Sequence, residues 1–263
     1  MPRVTTEIRD HVAHVTLTRA DKMNGVDQAM AEAIVTAGEA LCDNPDVRAV
    51  VLSGDGRAFC AGLDVASFAM LAGQDPEAVV MPRLEGKNTN LFQEVAMVWR
   101  RVPVPVIAAL HGVVFGAGFQ LALGADIRIA DPETKLAVME MKWGLVPDMG
   151  GMVLMPELMR SDVIRRMTYS AEPASARQGV EWGFVTELSE TPLEAAQALA
   201  SAIAGKSPSA VRAAKRLISV AESGAGEEAV LLAESREQTD LIGKPHQMEV
   251  IAANMGKRAA TFG

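Results

Sequence analysis

Five short apolar runs, each closed by Gly, Pro or Asp and separated by stretches with helical spacing, constrain this chain's fold more than anything else in it. The runs are 12–17 (VAHVTL), 47–53 (VRAVVLS), 104–110 (VPVIAAL), 126–130 (DIRIA) and 136–138 (LAV), and their β-branched character predicts strands. Asp27 is placed to cap a helix whose apolar stripe runs Met30, Ala33, Ile34, Ala37 and Leu41, at spacings of three and four. A second helix is predicted over 115–123. Strands alternating with helices through the first 190 residues call for an α/β core with crossover connections. From residue 192 the pattern is helical throughout: 193–203, 209–221, 227–242 and 245–255, separated by turns bearing Gly or Pro. The expected organisation is a 1–190 core followed by a 191–263 helical region. The mixed segment 66–93, interrupted by Gly73, Pro76, Pro82 and Gly86, is a candidate lid.

A chain of 263 residues with 49% hydrophobic content is long enough to bury a real core. Its formal charge of −8 argues against sequence-independent nucleic-acid binding, which needs a basic face to displace phosphate counterions. It leaves room for a small anionic ligand held by a few local cations. The two cysteines, Cys42 and Cys60, make neither a disulfide framework nor a metal-ligand pattern, so a reducing compartment, the cytoplasm, is expected. The N-terminus carries no apolar export segment, and charge or Gly interrupts every apolar stretch before the ~18 residues a membrane span requires, so no membrane association is expected. Methionine is over-represented, 15 against seven Phe, and suits either gap filling or an adaptable wall against a flexible apolar ligand.

Spacing removes several mechanisms. There is no phosphate-binding G-x-x-x-x-G-K-[ST], and the Gly116-Ala117-Gly118 run has Leu at 121 where a dinucleotide fingerprint needs Gly. No G-x-S-x-G or H-E-x-x-H occurs, and the four histidines lack ligand spacing, so no metal site is expected. Three interruptions of the apolar pattern remain: 54–64 (GDGRAFCAGLD), 111–120 (HGVVFGAGFQ) and 139–151 (MEMKWGLVPDMGG). The first two place Gly-rich backbone at a strand end and a helix start. Free N–H groups there could converge as an oxyanion hole, or the glycines could serve tight packing alone. In the third, Glu140 among Met139, Met141, Trp143, Leu145 and Val146 is either a desolvated proton shuttle with a raised pKa or a solvent-facing Glu paired with Lys142. Asp148 could act beside it or cap the next helix.

In order along the chain, LTRADKMN (17–24), AFCAGLD (58–64), PVIAALHG (105–112), Gly116-Ala117-Gly118, ADIRIA (125–130), GLVP (144–147) and EWGFV (181–185) resemble the crotonase superfamily, the enoyl-CoA hydratase/isomerase family. The resemblance implies an α/β fold, a spiral of ββα units with a C-terminal helical trimerisation region that also completes the CoA site. It implies an acyl-CoA thioester as substrate, with CoA present only as part of it and no separate cofactor. It implies a homotrimer or a dimer of trimers. Carried over by position, the backbone N–H groups of Leu63 and Ala117 would hold the thioester oxygen while an enolate forms. Lys22, Ala61, Gly62, Asp64, Gly116 and Lys257, with Arg258 as an alternative to Lys257, would contact the CoA ester.

The catalytic side chains depart from the family pattern. Family hydratases use two glutamates. The second matches Glu140, but the first falls on Gln120, which cannot exchange a proton. Single-glutamate members shift a double bond; dienoyl-CoA isomerases place an Asp where Asp148 lies, beside a Glu at the Glu140 position, and also have an acid where Gln120 stands. The dehalogenase branch needs a His near residue 95 that this chain lacks, and neither Glu94 nor Trp99 replaces it. The sequence therefore favours enoyl-CoA double-bond isomerisation with Glu140 as proton shuttle. Its alternatives are a hydratase in which Gln120 positions water, and a non-catalytic acyl-CoA-binding protein.

Overall fold

The computed structural model describes residues 2–64, 73 and 75–262. Much of the candidate lid, residues 66–72 and 74, lies outside the described residues. The rest of it includes a short helix, Pro76–Val80, capped by Asp75.

Among the described residues, nine strands form two sheets. β1 (Val4–Arg9), β2 (Val12–Leu17), β3 (Ala49–Gly54), β4 (Val106–Leu110), β6 (Ile127–Ala130) and β9 (Glu187–Leu188) lie side by side in that order, antiparallel between β1 and β2 and parallel thereafter. The second sheet is β5 (Val113–Phe115), β7 (Lys135–Ala137) and β8 (Ala174–Ser175). The five predicted strands are all present within two residues of their expected ends. β1, β5, β8 and β9 are additions. One expectation is corrected: the helix predicted over 115–123 is Ala117–Leu123, with Phe115 closing β5 and Gly116 between them. Phe115 pairs with Ala137 and its N–H donates to the Cys60 carbonyl, 3.0 Å away, while Gly116 at φ +50°, ψ −115° has a backbone no helix can include.

One face of the large sheet carries the main core, with Trp99, Phe59, Phe119 and Phe184 its largest buried side chains. Helix Gln28–Cys42 presses Met30, Ile34 and Leu41 into it, and its Asp27 cap accepts from the Met30 N–H at 2.8 Å, a bond worth about 1 kcal/mol. The other face is covered by helix Pro192–Ala204, whose Ala196, Ala200 and Ala204 lie on Val51, Ile107 and Ile129. Small residues at every fourth position let helix and sheet approach closely. The helix Pro208–Glu222 is fastened by Lys215, whose ammonium reaches Asp126 Oδ2 at 2.7 Å and the Val104 carbonyl at 2.9 Å. Beyond it, Glu227–Leu241 buries nothing and Pro245–Met255 buries only Ala253. Leu231, Leu232, Ile242, Met248, Ile251 and Met255 are exposed there. Among the described residues no helix is long and apolar enough to cross a membrane.

Candidate active site

The site is assembled by parallel pairing. β5 and β7 run side by side in the register Phe115↔Ala137, and Gly116 N–H extends the ladder to the Ala137 carbonyl at 2.9 Å. The chain leaving β5 turns into helix Ala117–Leu123, while the chain leaving β7 enters the short helical turn Glu140–Trp143. Two strand ends at one register thus bring a helix N-terminus and a carboxyl group together. A methyl group built on Gly116 would lie 3.5 Å from Glu140 Oε1.

The 60–64 segment closes the third side. Cys60 N–H donates to the Val113 carbonyl at 3.2 Å, Val26 N–H to the Gly62 carbonyl at 2.8 Å, and Asp64 N–H to the Val26 carbonyl at 2.9 Å. Strand geometry alternates these bonds from side to side, so Leu63 N–H faces away from Val26. It has no backbone acceptor among the described residues, and neither has Ala117 N–H, the first of the orphan donors at its helix start. The two segments touch: a methyl group at Gly62 would stand 3.9 Å from the Ala117 nitrogen and 2.9 Å from the Phe115 carbonyl oxygen. Gly62 also sits at φ +102°, so glycine is required there twice over. Gly118 is needed for approach alone, since a Cβ would lie 2.4 Å from the Cys60 carbonyl oxygen. The glycines thus serve close packing, and the same close approach leaves the Leu63 and Ala117 N–H groups without a backbone acceptor among the described residues.

Behind this edge, Arg19 holds the loop. Its guanidinium reaches Asp64 at 2.6 Å, Asp27 at 3.3 Å and the Gly25 carbonyl at 2.9 Å. Asn24 is wholly buried and its amide donates to the carbonyls of Asp55, Ala58 and Phe59. Arg19 was invisible as a site residue in the sequence, because nothing there links it to a carboxylate 45 positions on. Asp64, expected along the CoA path, is engaged with it. Cys60 is inert: its thiol donates to the Asn24 carbonyl at 3.1 Å, and burial pushes its pKa up to about 12.

Glu140 is half-buried, and its Oε2 is a buried atom without a hydrogen-bond partner. Desolvation raises its pKa; hydrogen bonds from its own N–H, from Gln120 and from the Met139 N–H oppose that rise, and the charge of Asp148 adds to it. The pairing with Lys142 is absent, as that side chain is exposed. The source of the desolvation differs from the sequence expectation, since Trp143, Leu145 and Val146 face outward. Glu140 is instead covered where β5 ends, with Gly116 and the buried Gln120 against its carboxyl. Asp148 lies in the next loop in contact with solvent but hemmed by surrounding protein, and desolvation raises its pKa too. It does not cap the following helix, whose N-cap is Gly150 with no side-chain bond. Gln120 is wholly buried and donates from Nε2 to Glu140 Oε1 at 2.7 Å. Its Oε1 accepts from the N–H groups of Met149 and Gly151, both at 2.9 Å.

Leu63, Ala117, Gly62, Gly116, Glu140 and Gln120 therefore form one cluster. Ala61 joins it through a bond from its N–H to the Met23 carbonyl at 2.9 Å, which also brings the exposed Lys22 turn alongside. Lys257 makes no side-chain hydrogen bond or ion pair to the cluster among the described residues. Arg258 forks onto Glu249 at 2.5 and 2.9 Å, leaving its charge neutralised locally. Glu94 is removed from the chemistry: fully buried, it is held by Thr89 at 2.5 Å, Lys87 at 2.8 Å and Arg101. Burial would raise its pKa, but those bonds outweigh burial and keep it low. The methionines divide: Met149 and Met155 are core, while Met81, Met141 and Met152 are exposed. Met70 lies outside the described residues.

A pair of unpaired main-chain donors beside a desolvated carboxyl with a free oxygen can stabilise an oxyanion while moving a proton. The enoyl-CoA hydratase/isomerase family model matches residues 7–263. The Delta(3,5)-Delta(2,4)-dienoyl-CoA isomerase, mitochondrial, of Mus musculus is 32% identical over 217 residues, 80% of this chain and 66% of that protein; the chain thus spans just under two thirds of that relative. Carnitinyl-CoA dehydratase of Salmonella typhi is 32% identical over 209 residues, covering 78% of this chain and 76% of that one. The crystal structure of enoyl-CoA hydratase from Mycobacterium tuberculosis H37Rv superposes with a TM-score of 0.86 at 28% identity, covering 100% of this chain and 99% of the other. Because the family model matches from residue 7 to residue 263, the chain belongs to the enoyl-CoA hydratase/isomerase family.

Proposed function

We propose that the protein isomerises an enoyl-CoA, moving a double bond from the 3 to the 2 position. The observation that carries this is Glu140 Oε2, a shielded carboxyl oxygen with no partner, next to main-chain donors that have none either. The Leu63 and Ala117 N–H groups would receive the thioester oxygen. Glu140, as carboxylate, takes a proton from C2, and the electron pair moves onto that oxygen as the enolate forms. The same carboxyl then returns the proton at C4, so the double bond ends conjugated with the thioester and no atom is gained or lost. CoA takes part only as the handle of the substrate, and the scheme needs no redox cofactor. Lys22, Ala61 and Lys257 remain its proposed contacts.

Replacing Glu140 by Gln keeps size and shape but removes the exchangeable proton, so turnover of a 3-enoyl-CoA should fall by about 10²–10⁴. Conjugated-thioester absorbance reads the product. Unchanged turnover would refute the assignment.

A second reading is favoured by Asp148, whose carboxyl is also raised and which acts electrostatically on Glu140. In a 3,5-dienoyl-CoA it would handle the proton at the far end of the conjugated system. Asp148→Asn should then abolish dienoyl turnover and spare 3-enoyl turnover. The exposed apolar side chains over 227–255 support a homotrimer, alone or paired, in which 191–263 forms the contacts. The free thiols of Cys42 and Cys60 suit a reducing compartment such as the cytoplasm.

A further inference from the structure

Gln120 spends its amide on three partners while remaining wholly shielded from solvent. An amide oxygen has two acceptor sites, so the Met149 and Gly151 N–H groups fill Oε1. Gly151 packs directly on this side chain, since a methyl group added there would lie 2.7 Å from Oε1 and 2.9 Å from Cγ, and the three hydrogen bonds hold the amide against it. The side chain is thus a strut between Glu140 and the loop that carries Asp148.

Two consequences follow from hydrogen-bond valence alone. Glu140 Oε1 already accepts from Nε2, which leaves Oε2 as the oxygen free to take up and release a proton. The main-chain donors at 149 and 151, polar groups that could hold a water beside Glu140, are occupied.

We infer that Gln120 is a positioning and specificity-determining residue: it fixes Glu140 Oε2 as the reacting oxygen and denies a nucleophilic water its hydrogen-bonding groups at Met149 and Gly151. The water-exclusion half rests on the isomerase reading above; the orientation half does not. An acid at 120 would act differently. Placed 2.7 Å from Glu140 Oε1, it would share a proton with that carboxyl and could receive one from water.

The test measures exchange of the C2 hydrogen of a saturated acyl-CoA into D₂O across pD, which reports proton removal whatever the overall reaction. Turnover of a 3-enoyl-CoA and water addition to a 2-enoyl-CoA are measured alongside. Gln120→Met removes the strut, and Gln120→Glu retains an acceptor for the two N–H groups, so it carries the test if the Met variant does not fold. The Nε2 donation favours the charged form of Glu140; without it the acid limb of exchange moves to higher pD in both variants, further in Gln120→Glu. Plateau exchange should fall at least about tenfold in Gln120→Met, with the half-saturating ester concentration within about threefold of wild type. Water addition relative to isomerisation should rise at least about tenfold in Gln120→Glu. Wild-type limb and plateau in the folded variants would overturn the orientation role, and an unchanged hydration ratio would overturn water exclusion. Wild-type protein that exchanges the C2 hydrogen but does not turn over a 3-enoyl-CoA would sink the isomerase reading, and the limb positions would still decide the orientation role.

Discussion

Replacing Gly118 by Ala separates the packing and the catalytic roles of one contact. The added Cβ would lie 2.4 Å from the Cys60 carbonyl oxygen, 2.7 Å from its Cβ and 2.9 Å from its Sγ. Real Cβ contacts essentially never fall below 3.0 Å, so the 60–63 segment and the helix start must separate by at least ~0.6 Å. Neither side is a flexible side-chain end. Forced separation of packed backbone costs roughly 1–3 kcal/mol, and for a chain of this size each kcal/mol lowers Tm by about 2–4 °C. The same movement pulls Leu63 N–H away from Ala117 N–H. A hydrogen bond of about 2.9 Å stretched by that amount leaves the effective range, so one oxyanion donor is lost and kcat should fall by about 10²–10³. The assay is paired: thermal unfolding, and 3-enoyl-CoA turnover well below Tm. Gly205→Ala is the control, because its backbone is helical and its Cβ would meet nothing closer than 3.6 Å; it should stay within about 0.5 kcal/mol of wild type. Lowered Tm with wild-type kcat would show that the thioester oxygen does not sit between these donors. An unchanged Tm would refute the steric reasoning itself.

Other outcomes follow from the charges. Glu140 has a raised folded pKa, so its neutral form favours the fold and stability is lost as pH rises through that value. Glu140→Gln should therefore be more stable than wild type at pH 8, by a margin that shrinks towards pH 4; denaturant titrations at both pH values check this, and a constant gap would contradict it. Arg19→Met removes the guanidinium that reaches both Asp64 and Asp27, while Arg3 still pairs with Asp27, costing roughly 1–3 kcal/mol. It should also lower kcat about tenfold by loosening the loop that carries Leu63, with partial recovery in Arg19→Lys. Wild-type kcat in Arg19→Met would remove Arg19 from any part in placing that donor.

The parts legible in the sequence were those written locally. The long apolar strands, the Asp27 cap and the tail helices follow from patterns within a dozen residues. β1 was hidden because it is an edge strand with five of its six residues exposed, and because its hairpin uses Asp10 and His11 at positive φ in place of the usual Asn-Gly. β5, β8 and β9 are two or three residues long and exist through their partners. In the site, the Gly-rich stretches announced free backbone donors, and Glu140 announced itself as a carboxylate interrupting an apolar run. The covering of Glu140 is not local: Trp143, Leu145 and Val146 point outward, while Gly116 and Gln120, from well before it in the chain, lie against its carboxyl. The engagement of Gln120 with residues near 150, and of Arg19 with Asp64, is long-range and leaves no local mark.

The division of labour between main chain and side chain in this cluster bears on how such a protein can change over evolutionary time. The proposed grip on the thioester is made by two peptide N–H groups, which every residue but proline supplies, so it is inherited by any sequence that still folds and keeps its glycines at 62 and 118. The proposed handling of protons rests on side chains at 140 and 148, with Gln120 orienting the first, all carried by separate elements and replaceable one at a time. Substrate activation is thus robust to drift while the choice of product is open to single substitutions, and a lineage could exchange one reaction for another without passing through a form unable to hold its substrate.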